Sequence, residues 1–300
     1  MASEWMYGKR LPSSSKTVQQ AIHEYIASKE SVLSPSTIRA YRSMERTAFT
    51  PIGHLTISSL TLTDVQKWIN RLARSDTPKT VRNKFGLLGA AYEMHTGERL
   101  TVTLPARIQP TLYTPSTEDV RKLVEYLKAS PHREPLLIAV MLSAFCSLRR
   151  GEICALTSDD IHDGSIYVSR SVVDDWNRSI VTKQPKTMAS YRAVAIPPFI
   201  MEYLEGKQGR LVPLAPDILS DRFRRAVRFC FGGEVHFRFH DLRHYYVSFA
   251  HAMGVPDAYI RETGGWQTDY VMKRVYLDTL TEERKKQSDM LLEKMGSVMQ

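Results

Sequence analysis

Cysteine is scarce in this chain of 300 residues, which contains only Cys146, Cys154 and Cys230. An odd number of cysteines in apolar stretches excludes the disulfide framework of a small secreted domain and predicts reduced core residues. Long hydrophobic runs are also missing, because no run of about eighteen apolar residues occurs and a membrane-spanning helix needs one. Residues 1–14 are polar and lack the apolar core of a secretory signal. These absences predict a cytoplasmic protein.

The balance of charge is strongly basic. Lys and Arg number 41 against 32 Asp and Glu, so the formal net charge is +9. Such an excess favours a polyanionic partner, of which nucleic acid is the commonest, although a merely basic protein would have the same composition. The length predicts two domains of ordinary size, and a hydrophobic content of 43% is enough for their cores.

The first third of the chain has the pattern of a helical bundle. An apolar stripe begins after Thr17, Ser34-Pro35 is a good helix start, and further helices are predicted at 64–72 and 79–95. We therefore predict a flexible segment at 1–14 and a helical domain at 15–103. Two helices have a basic face outside the apolar stripe, a pattern also typical of a solvated surface. These basic residues are Arg39, Arg42, Arg46, Lys79 and Arg82.

The rest of the chain predicts a linker and a second domain. Residues 104–116 hold three prolines and Arg107, lack periodicity, and are expected to be a semi-rigid linker. In the second domain, 117–300, helices are predicted after Ser116, at 134–145 and at 217–231. Arg222 and Arg225 fall outside the apolar stripe of that last helix. Three short strands are predicted at 166–173, 179–182 and 191–196. The predicted fold is mainly α with one small antiparallel β-sheet.

A pentapeptide, His240-Asp241-Leu242-Arg243-His244, is the most specific short motif. His240 and Arg243 are three residues apart and would share one face of a helix, where a guanidinium can bind a phosphate through a planar fork. Upstream stands Arg149-Arg150-Gly151-Glu152, and downstream stand Gly265-Trp266 and then Tyr276.

These residues, in this order, resemble the tyrosine recombinases, also called phage integrases. The resemblance covers roughly residues 15–295 and implies an N-terminal core-binding domain and an α+β catalytic domain. It implies that Glu152 supports the first arginine, and that the basic faces contact DNA. The catalytic residues that it implies are Arg149, Lys186, His240, Arg243, Trp266 and Tyr276.

Several neighbours compete for these roles. Arg150 adjoins Arg149, Lys183 is the alternative to Lys186, and Tyr270 is the alternative to Tyr276, although Tyr270 lies closer to Trp266 than the family spacing. His240 and His244 have the spacing of a metal pair, but no Glu follows the first His as a metalloprotease requires. We therefore expect no metal and no other cofactor. Trp266 can donate a hydrogen bond, but its indole does not titrate.

The resemblance implies cleavage and rejoining of DNA through a 3′-phosphotyrosine on Tyr276. It also implies a tetramer on DNA attachment sites, with a C-terminal helix at 281–295 that docks on a neighbouring protomer. Integration and excision of a mobile element, with accessory DNA-bending or directionality factors, is the expected role. A type IB topoisomerase and a non-catalytic DNA-binding protein are the alternatives from other functional classes.

Overall fold

A computed structural model describes residues 15–108, 113–175, 177, 179–183, 191–233, 237–266 and 292. Contacts within the chain divide it into two units, one formed mainly by residues 1–110 and the other by 111–174 and 180–300. The domain bounds drawn from the sequence stay predictions. The predicted flexible segment at 1–14 lies outside the described residues.

The described part of the first unit is helical. Each helix begins at a Ser or Thr whose hydroxyl accepts the backbone N–H three residues on, the usual device for satisfying the first turn of a helix. Ser34 caps a helix with Pro35 in its first turn, as the sequence predicts. The helices are α1 (Val18–Lys29), α2 (Pro35–Thr47), α3 (Leu62–Leu72) and α4 (Pro78–Thr96).

The core of the first unit is apolar with one buried polar contact. Trp68 is nearly fully buried and stacks on Phe49 with 5.4 Å between the ring centroids. Its indole Nε1 donates to the carbonyl oxygen of Ala48 at 2.9 Å, so the polar end of the side chain is satisfied as a buried tryptophan requires.

The second unit is built around one helix that is buried on almost every side. That helix, α6, has its residues from Leu136 to Ala144 buried, which fits its nearly unbroken apolar sequence. Helices α5 and α10 pack on it. The described helices of this unit are α5 (Thr117–Lys128), α6 (Glu134–Cys146), α7 (Arg150–Ile153), α8 (Pro198–Met201), α9 (Pro216–Phe231), α10 (Asp241–Ala252) and α11 (Asp257–Gly264).

The strands form two small antiparallel sheets and not the single sheet predicted. One sheet has the order β1-β2-β5 and the other pairs β3 with β4. Their bounds are β1 (Ile161–His162), β2 (Ser165–Val168), β3 (Ser171–Asp174), β4 (Ile180–Lys183) and β5 (Arg192–Ala195).

The strand predicted at 166–173 is therefore two strands. Between them lies Arg170, whose guanidinium donates to both carboxylate oxygens of Asp160 at 2.9 and 2.6 Å and to the carbonyl oxygen of Ala155 at 3.2 Å. On one side of Arg170 strand β2 pairs with β5, and on the other side β3 pairs with β4.

The predicted fold class, mainly helical with a small amount of antiparallel sheet, is confirmed, although the strands form two sheets where one was predicted. Of the helices that the structure describes, none combines the length and the apolar character needed to cross a membrane.

Candidate active site

Arg149 lies at the start of the short helix α7 and is bound to Glu152 one turn later. Its Nη1 donates to Glu152 Oε1 at 2.8 Å, and its backbone N–H donates to Oε2 of the same carboxylate at 2.8 Å. The Arg149 side chain is about a third exposed, whereas that of Glu152 is buried. The carboxylate therefore orients a guanidinium that still reaches solvent.

Gly151 allows α7 to approach strand β3 closely. A Cβ atom at this position would lie 2.5 Å from Ser171 Oγ and 2.6 Å from the carbonyl oxygen of Val172. Both distances are far inside van der Waals contact, so a side chain at position 151 would force α7 and β3 apart.

Arg243 lies in the first turn of α10 and is almost fully buried. Its Nη1 donates to the carbonyl oxygen of Ser147, and its Nη2 donates to that of Gly264 at 2.7 Å. Ser147 ends α6 in a left-handed backbone conformation (φ 54°). In this conformation the carbonyl oxygen of Ser147 points toward Arg243. Within the described part of the chain, Arg243 Nε is a buried donor without a partner.

A third arginine, Arg192 at the start of β5, completes the group. Its Nη1 and Nη2 donate to the two oxygens of Glu152 at 3.2 and 2.9 Å, and its Nε donates to the carbonyl oxygen of Thr263 at 2.6 Å. Arg149 Nη2 donates to the carbonyl oxygen of Gly265 at 2.6 Å.

The carbonyls of residues 263, 264 and 265 thus each accept from a different arginine. These carbonyls lie at the end of α11, where the backbone has orphan acceptors and a partial negative charge. The C-terminal end of α11 therefore binds three guanidinium groups close to one another.

The carboxylate of Glu152 balances part of the positive charge of the three arginines. Burial raises the pKa of this carboxyl, but the hydrogen bond and charge of Arg192, with the charges of Arg149 and Arg243, outweigh it and lower the pKa to about 2. Three guanidiniums around one carboxylate leave an excess of positive charge. Burial, and then the charge of Arg149, lower the pKa of Arg243 below its ordinary value. An anion bound here would relieve that repulsion.

Trp266 covers Arg243. The guanidinium carbon lies 4.7 Å from the centroid of the indole ring, a cation–π contact. A Cβ atom on Gly264 would overlap this ring, so Gly264 is the space into which the indole folds. The predicted donation from Trp266 to a phosphate stays a prediction.

His240 lies immediately before α10, with part of the residue open to solvent. Removal of water by the surrounding protein, and then the positive charge of Arg243, lower its pKa, so the ring is neutral at pH 7. His244 is buried behind it, with 5.4 Å between the ring centroids. Among the described residues no group of three His, Cys, Asp or Glu could hold a metal ion.

A cavity of about 800 Å³ opens beside Arg149 and His240. The cavity lies between α7, β3, α9 and the segment before α10. Basic side chains outnumber acidic side chains in its lining. The charged residues that line it are Arg149, Arg150, Arg224, Arg238, Asp217 and Asp221, and the neutral His240 lies beside them. Its excess of arginines suits an anionic ligand such as phosphate better than a neutral small molecule.

The structure brings together Arg149, Glu152 and Arg243, with Trp266 stacked on Arg243, and it places His240 and Arg149 on the wall of one cavity. Lys186, Tyr276 and its competitor Tyr270 lie outside the described residues, and so does the helix predicted at 281–295 apart from Leu292, which is helical and exposed. Lys183, the alternative to Lys186, lies in β4.

The residues predicted to contact DNA differ in their surroundings. Arg42 is mostly buried and forms ion pairs with Glu45 at 3.2 Å and Glu30 at 4.0 Å. Arg82 donates to the carbonyl oxygen of Pro105 at 2.8 Å. Arg39 is partly exposed, and the remaining members of the set are exposed: Arg46, Lys79, Arg107, Arg222 and Arg225. Contact with DNA stays a prediction for all of them.

Arg192 is the residue that sequence reasoning missed. A usable signal exists, because Arg192 has the register of the inward-facing Val194 in an alternating strand. A charged residue at an inward position of a strand needs a buried partner of opposite charge.

The sequence model described as the phage integrase family matches residues 116–283, more than half of the chain. Similar solved structures include the integrase of transposon Tn1549 in complex with transposon right-end DNA, at 15% identity and a TM-score of 0.71, covering 90% of this chain and 99% of that one. The lambda integrase tetramer bound to a Holliday junction is similar at 15% identity and a TM-score of 0.66, covering 88% and 78%. The lambda integrase dimer bound to a COC′ core site is similar at 16% identity and a TM-score of 0.67, with the same coverage. No curated protein matched the sequence.

Proposed function

The chain belongs to the phage integrase family and is a tyrosine recombinase, and from that premise we propose that it cleaves and rejoins DNA through a 3′-phosphotyrosine on Tyr276. Its substrates would be the attachment sites of a mobile element, which it would integrate and excise. The reaction conserves the energy of the phosphodiester bond and, in this proposal, needs no metal or other cofactor.

The main support for the proposal is that Arg149 and Arg243 lie close together, since they donate hydrogen bonds to adjacent backbone carbonyls at the end of α11. A phosphodiester resists attack because its anionic oxygens repel a nucleophile, and two guanidiniums fixed beside each other would neutralise those oxygens as charge grows in the transition state. The buried Nε of Arg243, without a partner among the described residues, is a donor suited to one such oxygen. Because Trp266 covers Arg243, DNA binding has to open that contact.

The remaining roles follow from the chemistry of the displacement. Tyr276 Oη would form a bond to phosphorus while the bond from phosphorus to the 5′ oxygen breaks. Lys186 would give a proton to the leaving 5′ oxygen. His240, neutral at pH 7 because its pKa is lowered, would take the proton of Tyr276. Trp266 would donate a hydrogen bond to a phosphate oxygen.

Exchange of strands between two duplexes needs more than one protomer. The lambda integrase is a tetramer on a Holliday junction and a dimer on a core site, and the Tn1549 integrase is bound to transposon end DNA. By analogy we propose that this chain acts as a homotetramer on double-stranded DNA, with the helix predicted at 281–295 docked on a neighbour. Accessory DNA-bending or directionality factors would set the direction of the reaction.

A covalent trap tests the proposal. Binding sites would be selected from random duplexes, and a nick would be placed beside the cleavage position so that the cut strand diffuses away. We expect wild-type protein to accumulate as a protein–DNA species stable to SDS, and Tyr276→Phe to bind the same duplex without forming it. Only the attacking oxygen is lost in this variant, so its affinity for DNA should be unchanged.

Tyr270→Phe is the matched control and should still be trapped. A reversed result would assign the nucleophile to Tyr270. If neither wild-type nor any variant is trapped, the protein is a non-catalytic DNA binder, and if the wild-type relaxes supercoils at arbitrary sequence without exchanging strands, it is a topoisomerase.

A further inference from the structure

We propose that Arg192 is a positioning residue for strand cleavage: it holds Glu152, and through Glu152 it orients Arg149 toward the scissile phosphate. This inference rests on the proposed function, since it assigns a further residue to the same site. The sequence places Arg192 between the turn of Lys186 and an apolar strand, but no role in the site was assigned to it there.

The contacts of Glu152 show how the two arginines share it. Glu152 Oε1 accepts from Nη1 of Arg149 and Nη1 of Arg192, and Oε2 accepts from the backbone N–H of Arg149 and Nη2 of Arg192. Arg192 thus presents a bidentate fork, the geometry that fixes a carboxylate in one orientation. The Arg149 guanidinium takes its own orientation from that carboxylate.

Arg192 is placed to act on other protein groups and not on DNA. Its side chain is 3% exposed, against 35% for Arg149, and all three nitrogens of its guanidinium are engaged. A phosphate outside the protein reaches Arg149, whereas Arg192 lies behind Glu152.

Arg192 also forms a hydrogen bond to the residues that precede Trp266. Its Nε donates to the carbonyl oxygen of Thr263, the first of the three carbonyls that gather the arginines. Loss of Arg192 would remove a hydrogen bond from the end of α11 and leave Arg149 as the arginine that the structure describes as hydrogen-bonded to the buried Glu152. A buried carboxylate with fewer partners is free to turn, and Arg149 would turn with it.

The test compares single-turnover cleavage of the nicked duplex by purified full-length variants. We expect Arg192→Ala to lower the cleavage rate constant at saturating DNA by roughly 10–100-fold, by analogy with the loss of a partner that orients a metal ligand. The dissociation constant for DNA should change little, because Arg192 does not reach the duplex. Arg192→Lys keeps the charge but not the fork, so its rate should lie between those of wild-type and Arg192→Ala.

Arg170→Ala is the matched control. Arg170 also binds a carboxylate through two bonds, to Asp160, in the same unit, and its described bonds go to Asp160, Thr157 and Ala155 and not to Glu152. Its loss should lower the melting temperature without lowering the cleavage rate of folded protein. If Arg192→Ala reduces stability but not the rate constant, its role is structural and the inference is overturned. If Arg192→Ala does not fold, Arg192→Lys decides: a rate equal to wild-type overturns it.

A double-mutant cycle gives the sharpest readout. In an Arg149→Lys background, which keeps a charge and a measurable rate, Arg192→Ala should cost much less than it costs in wild-type, because both changes act on one orientation. Costs that simply multiply would overturn the inference. Absence of any adduct with wild-type protein would overturn the proposed function and this inference together, whereas trapping at a wild-type rate by Arg192→Ala would overturn only this inference.

Discussion

Glu152 is the residue on which the charge balance of the site depends. Its carboxylate accepts four hydrogen bonds, two from Arg149 and two from Arg192. A carboxylate with all its acceptor positions filled by charged or oriented donors is held ionised even when it is buried. Its single negative charge keeps the arginines together without cancelling the excess that a phosphate would meet.

The low pKa of Glu152 predicts a pH-dependent loss of stability. Its ordinary pKa is 4.5 and its folded pKa is about 2, so the unfolded chain binds this proton at a higher pH than the folded chain does. The ionised group therefore stabilises the fold above pH 4.5, and this stabilisation is lost as pH falls toward 2. The shift corresponds to roughly 3 kcal/mol in the free energy of unfolding.

Urea unfolding of wild-type and Glu152→Gln at a series of pH values from 7 to 3 measures this contribution. We expect the variant to be less stable at pH 7 and the difference to shrink as pH falls, since the unfolded wild-type chain then takes up a proton at Glu152 that the folded chain does not bind. Glu205→Gln, at an exposed carboxylate, is the control and should run parallel to wild-type. Parallel curves for Glu152→Gln would contradict the assigned pKa.

The relative positions of two residues could be predicted from the sequence where a motif fixes the spacing between them. The Arg149 to Glu152 turn and the His240 to Arg243 turn follow from three-residue spacing at a helix start, and the structure places them so. Arg192 has no such local partner, because Glu152 lies 40 positions away in sequence. The sequence also does not indicate that Trp266 folds over Gly264 onto Arg243, since that contact depends on how α10 and α11 pack.

At the scale of elements, local signals predicted the helices better than the sheets. Ser34 and Ser116 cap helices where their hydroxyl patterns predict, because a cap acts within one turn of its own backbone. The strand at 166–173 read as one piece because its apolar alternation continues across Arg170. The break depends on the contact of Arg170 with Asp160, which is a tertiary interaction.

Alanine should have opposite effects at two glycines, because Gly151 is packed tightly against β3 whereas Gly89 has open space beside it. Gly151→Ala places a methyl group against Ser171 and the backbone of Val172, so it should destabilise the fold by roughly 1–3 kcal/mol. It should also slow cleavage, since α7 carries Glu152 and follows Arg149. Gly89→Ala, in α4, meets no atom within 4 Å and should stabilise the protein by about 0.5–1 kcal/mol.

Thermal unfolding and the covalent trap measure the two consequences for each variant. A stability of Gly151→Ala equal to wild-type would show that α7 can move away from β3 at no cost, which the short distances to Ser171 and Val172 contradict.

At the scale of the whole molecule, the excess of basic residues is the property that most directly concerns DNA. The net charge of +9 belongs to the chain as a whole, and exposed basic residues occur in both units. Lysine and arginine contacts to phosphates release condensed counterions, so affinity for DNA becomes steeply dependent on salt. Such binding positions the duplex without reading its sequence.

We therefore expect the affinity for DNA to fall by ~10³-fold or more between about 50 and 200 mM salt, as for a protein that contacts ~6–10 phosphates. Each phosphate contact contributes about 0.9 to the slope of log affinity against log salt. If Arg222 and Arg225, both exposed on α9, each contact a phosphate, replacing both by Gln should lower that slope by about 1.8 and weaken binding to all sequences alike. Arg121→Gln is the control, because this exposed arginine is already paired with Glu118 and Glu125. Fluorescence anisotropy across a salt series measures both slopes, and an unchanged slope in the double variant would remove α9 from the DNA-binding surface.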